Sequence, residues 1–399
     1  MGFADRYLQK HAIREPIIKQ EPDQDLSCII TIPAFNESRL TECLDSLFAC
    51  NPSGSRSEVI MLINEPENCE EVIHSCNIMS FKSASEWISN HKREDISFHI
   101  AYVSELPNKH FGAGLARKLV MDEAIHRFNR INHPEGIILS LDADTKVEPN
   151  YISAIQEHFS HYPKASGCAI QFRHPTSGDE FEPAVYQAAV KYESHLNYYV
   201  KAIRSTGYPY GFHTIGSCFA VRASAYCNQG GMNKRKAGED FYFIQKVAMQ
   251  GNFTECNTTT VYPSPRPSDR VVFGTGPEIQ KQLQQPHLPY LTFAPVLFDH
   301  LRTFYQMAPG LFASTDSSTF LDALHPILRE FLLKKNFETE LLEIQKNVSS
   351  EQNFSRRFHR KFNMFWILKY LHFAESKGID KVPVESAAEE LQRRMSNSL

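Results

Sequence analysis

The sequence predicts an α/β protein, a sheet built from βαβ units, followed by a separate helical region. Three observations carry this. Val59-Ile60-Met61-Leu62-Ile63 and Ile137-Ile138-Leu139-Ser140-Leu141 are short, unalternating apolar runs, as in strands covered on both faces. Leu40, Cys43, Leu44, Leu47 and Phe48 recur at helical spacing ahead of the first of these runs. From about Pro277 onward the apolar period is helical throughout.

At 399 residues the chain exceeds one compact core and suits a large domain plus a smaller one. A net charge of −4 gives no reason to expect a nucleic-acid partner. Residues 1–20 mix charges with apolar residues, unlike a signal segment, and no run approaches the ~20 apolar residues of a membrane span. The nine cysteines are scattered without a Cys-x-x-Cys pair, which suits free buried thiols in a reducing cytoplasm. The expectation is a cytoplasmic protein whose contact with the inner face of the membrane, where there is one, is peripheral.

Residues 1–25 read as a short amphipathic lead-in broken by Pro16 and Pro22. Leu26 to Ile32 is the first strand, stopped by Pro33. In the turn Pro33-Ala34-Phe35-Asn36-Glu37-Ser38, Ser38 suits a helix N-cap. The Leu40–Phe48 helix ends at Asn51-Pro52-Ser53-Gly54, and Val59–Ile63 closes a right-handed βαβ unit. Asn64-Glu65-Pro66-Glu67 follows at that strand's carboxyl end, Cys69–Asp95 reads as helical, and Phe98–Val103 is the third strand.

Lys109-His110-Phe111-Gly112-Ala113-Gly114 precedes a helix faced by Val120, Met121, Ala124 and Phe128. Glycines there either let backbone approach a phosphate at a helix N-terminus or allow tight packing. The pattern is neither a dinucleotide fingerprint nor a Walker loop. The run Ile137–Leu141 then ends in Asp142-Ala143-Asp144. Alternation in an extended chain points both carboxylates to one side, just past the strand end where α/β sheets bind ligands. Their repulsion is relieved by a hard divalent cation, Mn2+ or Mg2+, unless the segment is only an aspartate-rich turn.

A helix marked by Tyr151, Ile152, Ile155 and Phe159 follows Pro149. The middle of the chain is rich in polar aromatics: a short strand ending at Gln171-Phe172-Arg173-His174-Pro175, a tyrosine-rich helix Val185–Arg204, then Gly207 to His213 and Ile215 to Arg222. Gly230 to Phe241 contains Glu239-Asp240 at the start of an apolar helix, where acidic residues also suit the helix dipole.

In their order these segments resemble the family 2 glycosyltransferases with the GT-A fold. Pro33–Glu37 is similar to that family's first-strand motif, Lys109–Arg117 to its glycine-alanine-arginine segment and Leu141–Asp144 to its metal motif. Gly216–Arg222 and Gly230–Asp240 resemble its acceptor-side strand and Glu-Asp motif. The resemblance covers about residues 26–275 and implies a Rossmann-like, mixed, mostly parallel sheet, with a helical domain over 276–399. It implies transfer of a sugar from a UDP- or GDP-linked donor to a hydroxyl of a sugar or lipid-linked acceptor. Asp144, with Asp142, would hold the cation on the diphosphate. Asp240 would be the general base beside Glu239, with inversion at the anomeric carbon. Pro33, Ala34, Phe35, Glu37, Lys109, Gly112 and Arg117 would line the donor, and His213 or His174 would complete the metal shell. The family commonly places aspartates after the second strand; here Asn64 stands in that region, able to hydrogen-bond a base.

Tyr262-Pro263-Ser264-Pro265-Arg266-Pro267-Ser268-Asp269-Arg270 is stiffened by prolines, and Arg266 and Arg270 suit phosphate or carboxylate. It reads either as an active-site loop or as a linker. In the tail, Leu321, Leu324, Leu328, Phe331 and Leu332 form one stripe and Phe358, Phe362, Phe365 and Trp366 another. Arg356, Arg357, Arg360 and Lys361 interleave with the second as a solvated basic face or as a contact for a membrane or a phosphorylated acceptor. The rivals are a retaining transferase of the same fold and a nucleotide-sugar binder without turnover. The sequence leaves the oligomeric state open.

Overall fold

A computed structural model of the chain describes residues 2–268, 274–314 and 316–396. The described residues group into two compact units, one drawn from 1–189 and 214–281, the other from 190–213 and 282–399. The cut therefore falls inside a helix of the tyrosine-rich segment, and residues 1–25 belong to the first unit.

The first unit is built on strands β1 (Leu26–Ala34), β2 (Arg56–Pro66), β3 (Ile96–Leu106), β4 (Ile137–Ser140), β5 (Lys146–Val147), β6 (Gly167–Phe172), β7 (Phe219–Arg222) and β8 (Phe253–Tyr262). They form one sheet in the order β3-β2-β1-β4-β7-β6-β8-β5. The pairs β1·β2, β2·β3, β1·β4 and β6·β8 are parallel, and β4·β7, β6·β7 and β5·β8 are antiparallel. The sheet is thus mixed and mostly parallel.

The helices of this unit are α1 (Asp5–His11), α2 (Leu40–Phe48), α3 (Glu71–Asn90), α4 (Ala113–Arg130), α5 (Tyr151–His161), the first turns of α6 (Pro183–Ser205), α7 (Ala223–Asn228), α8 (Glu239–Ala248) and most of α9 (Thr275–Gln284). Along α4, Val120, Met121, Ala124 and Phe128 are fully buried, which seats the helix against β1 and β2. At ~25 cal/mol per Å2 of apolar surface, such a face is what holds a helix that propensity alone would leave marginal.

Pro33 does not stop the first strand. It lies inside β1, in register with Leu62. Thr31 accepts a hydrogen bond from Leu141 N–H at 3.1 Å, so Pro33, two residues on, turns its missing donor to the side where β4 has already ended. A proline there interrupts no ladder. The expected Ser38 N-cap is also absent: α2 starts at Leu40 behind Arg39, with no side-chain cap. The helix expected over Cys69–Asp95 is shorter at both ends, as α3 shows.

The amino-terminal segment is clamped onto α4. Tyr7 Oη donates to Asp122 Oδ1 at 2.7 Å, and the N–H groups of Ile17 and Ile18 donate to the Glu123 carboxylate at 2.7 and 3.1 Å. Ala4, Tyr7 and Ile18 are buried with it.

The second unit holds the rest of α6, the ribbon β9 (Leu291–Thr292) with β10 (Val382–Pro383), and helices α10 (Val296–Met307), α11 (Ser318–Ala323), α12 (Pro326–Lys334), α13 (Phe337–Lys346), α14 (Glu351–Lys361), α15 (Met364–Glu375) and α16 (Val384–Ser396). The Leu321–Leu332 stripe is buried as its spacing predicts. Phe304 centres the aromatic core, with the Phe358 ring 5.3 Å and the Trp366 ring 5.0 Å away. The second aromatic stripe is split between two helices. Asn363 caps α15, accepting from the N–H groups of Phe365 and Trp366, and Phe365 lies outside the core under the Lys369 ammonium. No helix among the described residues is long and apolar enough to cross a membrane.

Candidate active site

At the carboxyl ends of β1 and β4 the first unit gathers most of the residues singled out by sequence. Arg117, at the start of the second turn of α4, is 4% exposed and bonds through all three guanidinium nitrogens. Nη1 donates to Ser140 Oγ at 2.7 Å and to the Gly216 carbonyl at 3.0 Å. Nη2 donates to Asp142 Oδ1 at 3.0 Å, and Nε to Glu239 Oε1 at 3.3 Å. Burial disfavours its charge, but the carboxylates of Asp142, Glu239 and Asp240 outweigh that and hold it above the ordinary arginine value. Arg117 is thus the central cation of three acidic groups from two segments, the turn after β4 and the start of α8.

Glycine admits this arginine. A Cβ on Gly216 would lie 2.4 Å from Arg117 Nη2 and 3.2 Å from Asp240 Oδ2. The pair Gly112 and Gly114 has a related role. A Cβ on Gly114 would lie 2.3 Å from the Arg235 carbonyl, and one on Gly112 2.8 Å from the Lys236 carbonyl. Gly114 N–H donates to that Arg235 carbonyl at 3.2 Å. These glycines let residues 233–236 pack on the start of α4. Gly238, at φ +69, then turns the chain into α8 so that Glu239 and Asp240 face Arg117.

Glu239 is 3% exposed and Asp240 is half-buried. Burial raises the Asp240 carboxyl, the neighbouring Glu239 charge raises it further, and Arg117 pulls back; the balance is about 7. Phe241 N–H donates to Asp240 Oδ1 at 2.7 Å.

Asp142 and Asp144 sit in the turn after β4, closed by Thr145 N–H donating to the Asp142 carbonyl at 3.1 Å. Their environments differ. Asp142 faces Arg117, whereas Asp144 Oδ2 accepts from Arg266 Nη2 at 2.9 Å. The same Nη2 lies 2.5 Å from Glu37 Oε2, and Glu37 is 3% exposed. Ser80 Oγ donates to the Glu37 carbonyl, and Glu37 Oε1 accepts from Arg39 N–H, which fixes Glu37 in place. Glu37, Asp144 and Arg266 border a cleft of about 80 Å3 together with Lys146, Tyr262 and Ser264.

At the end of β2, Asn64 is 1% exposed and gives its amide N–H to the Ala34 carbonyl at 2.8 Å, bracing the turn after β1. The sequence reading passed over Glu65. Its buried carboxylate accepts from Tyr102 Oη at 2.6 Å and Asn77 Nδ2 at 3.3 Å, with His74 Nδ1 3.0 Å away. Asn77 in turn accepts from Asn36 N–H, and Asn36 holds φ at +50. Phe35 packs edge-on to Phe111, ring centres 4.9 Å apart. Lys109 is exposed.

His174 is 2% exposed and belongs to the first unit, with Thr275 Oγ1 3.5 Å from its Nε2. His213 belongs to the second unit. Among the described residues, no group of three or more His, Cys, Asp or Glu side chains is arranged to hold a metal ion. Arg270 lies outside the described residues. The residues that sequence reasoning missed are Ser140 and Glu65; the signal for Ser140 was a hydroxyl in an otherwise apolar strand.

No family model matches the chain, and no curated protein does. Solved structures do resemble it. Residues 1–349 of S. aureus TarS in complex with UDP-GlcNAc align at 11% identity over 84% of this chain and 91% of that one, TM-score 0.42. The same protein with UDP aligns at 13% identity over 92% and 91%, TM-score 0.39. The mannosyltransferase PcManGT from Pyrobaculum calidifontis, in complex with GDP-Man and Mn2+, aligns at 16% identity over 94% and 92%, TM-score 0.35. All three scores lie below 0.5, so the functional reading rests on the geometry of the site.

Proposed function

We propose that the protein is a metal-dependent glycosyltransferase of the GT-A type that inverts configuration, moving a sugar from a nucleoside-diphosphate donor to an acceptor hydroxyl. The observation that supports this best is the convergence of Arg117, Asp142, Glu239 and Asp240 at the carboxyl end of β4, with Asp144 in the same turn. Burial beside Glu239 raises the Asp240 carboxyl toward neutrality, the range that suits a general base.

Carboxylate oxygens are the donors a hard cation takes, and Asp144 and Glu37 present theirs to one positive group, Arg266 Nη2. Asp144 and Asp142 would hold Mn2+ or Mg2+, with Glu37 adjoining. When bound, the ion supplies Lewis-acid neutralisation of the leaving diphosphate. Asp240 takes the proton from the acceptor hydroxyl as that oxygen attacks the anomeric carbon. Glu239 keeps Asp240 basic, and Arg117 holds Glu239 and Asp142 in register between base and diphosphate. Asn64 and the Glu65–Asn77 pair brace the turn 34–37, on whose outer side the nucleoside would lie.

The test is direct. UDP- and GDP-linked sugars are incubated with the protein, Mn2+ and simple glycoside acceptors, and products are read by proton NMR. An anomeric configuration opposite to the donor's, lost in Asp240→Asn, supports the reading. Retained configuration would move Asp240 from base to acceptor ligand. No donor consumption, with tight nucleotide binding, would make the protein a binder.

A further inference from the structure

Resting on that reading, we infer that the acceptor bears a phosphate, held by a basic patch that Lys234, Arg235 and Lys236 build with Lys109 beside the general base. The sequence has no acidic residue between Glu105 and Asp122, nor between Glu193 and Glu239. Folding lays these two acid-free stretches against each other. A Cβ on Gly112 would stand 2.9 Å from Lys236 Cα, and one on Gly114 2.7 Å from the Asn233 carbonyl, so only glycine allows the approach. Four side chains of one sign thereby share a surface, in a chain whose net charge is −4. All four are exposed, and none of them pairs with a carboxylate among the described residues.

The backbone that carries the patch is fixed. Asn233 Nδ2 donates to the Glu239 carbonyl at 3.1 Å, and Asn233 Oδ1 accepts from Arg235 N–H at 3.1 Å. The Arg235 guanidinium lies over the Tyr242 ring, 3.9 Å from its centre, which leaves the N–H edge of the fork for a phosphate. Position then says which ligand is met. Lys236 and Asp240 are four residues apart, so their Cα atoms stand at most about 14 Å apart. Tyr242, under Arg235, lies on α8 two residues beyond Asp240. Lysine and arginine side chains span much of that distance, so an acceptor with its hydroxyl at Asp240 meets the patch with its next substituents. A phosphate there is matched in charge by several cations, whose field also steers the acceptor in.

The experiment is titration of glucose 6-phosphate, and of glucose, into the protein with its donor site filled by saturating UDP or GDP and MgCl2. Saturation-transfer proton NMR reads the binding. The variants are Lys234→Gln/Arg235→Gln/Lys236→Gln in the loop and Arg356→Gln/Arg357→Gln/Arg360→Gln on α14, which removes the same charge elsewhere. Wild type should bind glucose 6-phosphate about tenfold more tightly than glucose, and the loop variant should lose that preference. The α14 variant should keep it, and added salt should weaken it. Sedimentation with phosphatidylcholine vesicles, with and without phosphatidylglycerol, distinguishes the sources of phosphate. Recruitment by the anionic vesicles alone, lost in the loop variant, makes the phosphate a lipid headgroup; preference for glucose 6-phosphate without recruitment makes it part of a soluble acceptor. Equal binding of the two sugars with no recruitment, an unchanged preference in the loop variant, or an equal loss in both variants overturns the inference and leaves the transferase reading intact. So does a loop variant that loses nucleotide affinity instead, since the patch would then serve the donor. Failure of wild type to bind any nucleotide with a divalent cation removes both.

Discussion

Arg117→Met is the most informative single change in the site. It keeps most of the volume and removes the positive charge. The cost is dominated by Glu239, which is 3% exposed and would lose the buried cation beside it. Breaking a buried pair from one side typically costs about 3–5 kcal/mol. Asp142 adds little, since its side chain is 41% exposed and water screens it. Gly216 O loses one donor but keeps Ser140 Oγ at 2.7 Å. The expected loss is therefore about 3–5 kcal/mol at pH 8, set by a single unpaired carboxylate. Arg117→Met with Glu239→Gln should recover about half of it, since no buried charge is then left unpaired. Urea unfolding measures this, and the two tryptophans help. Trp87 belongs to the first unit and Trp366 to the second, so fluorescence in a Trp366→Phe background reports on the unit that holds the site. A loss below about 1 kcal/mol, or a double variant no more stable than the single one, would refute the view of Arg117 as the central cation.

Other outcomes follow from the same cluster. Activity should rise with pH through about 7 as Asp240 loses its proton, and Asp240→Asn should reduce turnover at least about a hundredfold, with any residual rate independent of pH across that range. The folded carboxyl lies above its unfolded value, so its contribution to stability is full below about pH 4 and is lost as pH rises through the folded pKa. Asp240→Asn should accordingly make melting temperature less pH-dependent between pH 4 and 8, with the largest gain at the alkaline end. Gly216→Ala should cost about 1–3 kcal/mol and depress activity, because its Cβ would sit 2.4 Å from a guanidinium already locked by its hydrogen bonds. Glu65→Gln should lower stability by about 1 kcal/mol and raise KM for the donor more than it lowers kcat, read by unfolding and steady-state kinetics.

Much of this architecture was legible because buried parallel strands write themselves as unbroken apolar runs. The cores of β1, β2 and β4 fall where those runs predict. Strands β5 and β8 were not legible: β5 is two residues long, and Phe253-Thr254-Glu255-Cys256-Asn257-Thr258 mixes polar side chains at a sheet margin. Pro33 misled through a local rule, since only the position where β4 ends shows that no donor is needed there. In the site, Asp142, Asp144, Glu239 and Asp240 were visible as types in order. The shared partner of Asp142 and Glu239 was not, because Arg117 lies 122 residues from Glu239 and only folding makes them neighbours. The glycines near 112–114 were visible as well, but their structural partner is the backbone of residues 233–236, which no local pattern announces.

The central claim, that this site takes a nucleotide with a divalent cation, is tested most directly by thermal unfolding with UDP, GDP and their sugar conjugates. Each is measured with and without Mn2+, on wild type and Asp144→Ala. A ligand at one hundred times its Kd adds about 2.7 kcal/mol, which raises the transition of a unit this size by roughly 5–10 °C. The account predicts such a rise with one nucleotide, only when Mn2+ is present and only in wild type. A rise of equal size in Asp144→Ala, or none with any nucleotide, would contradict it.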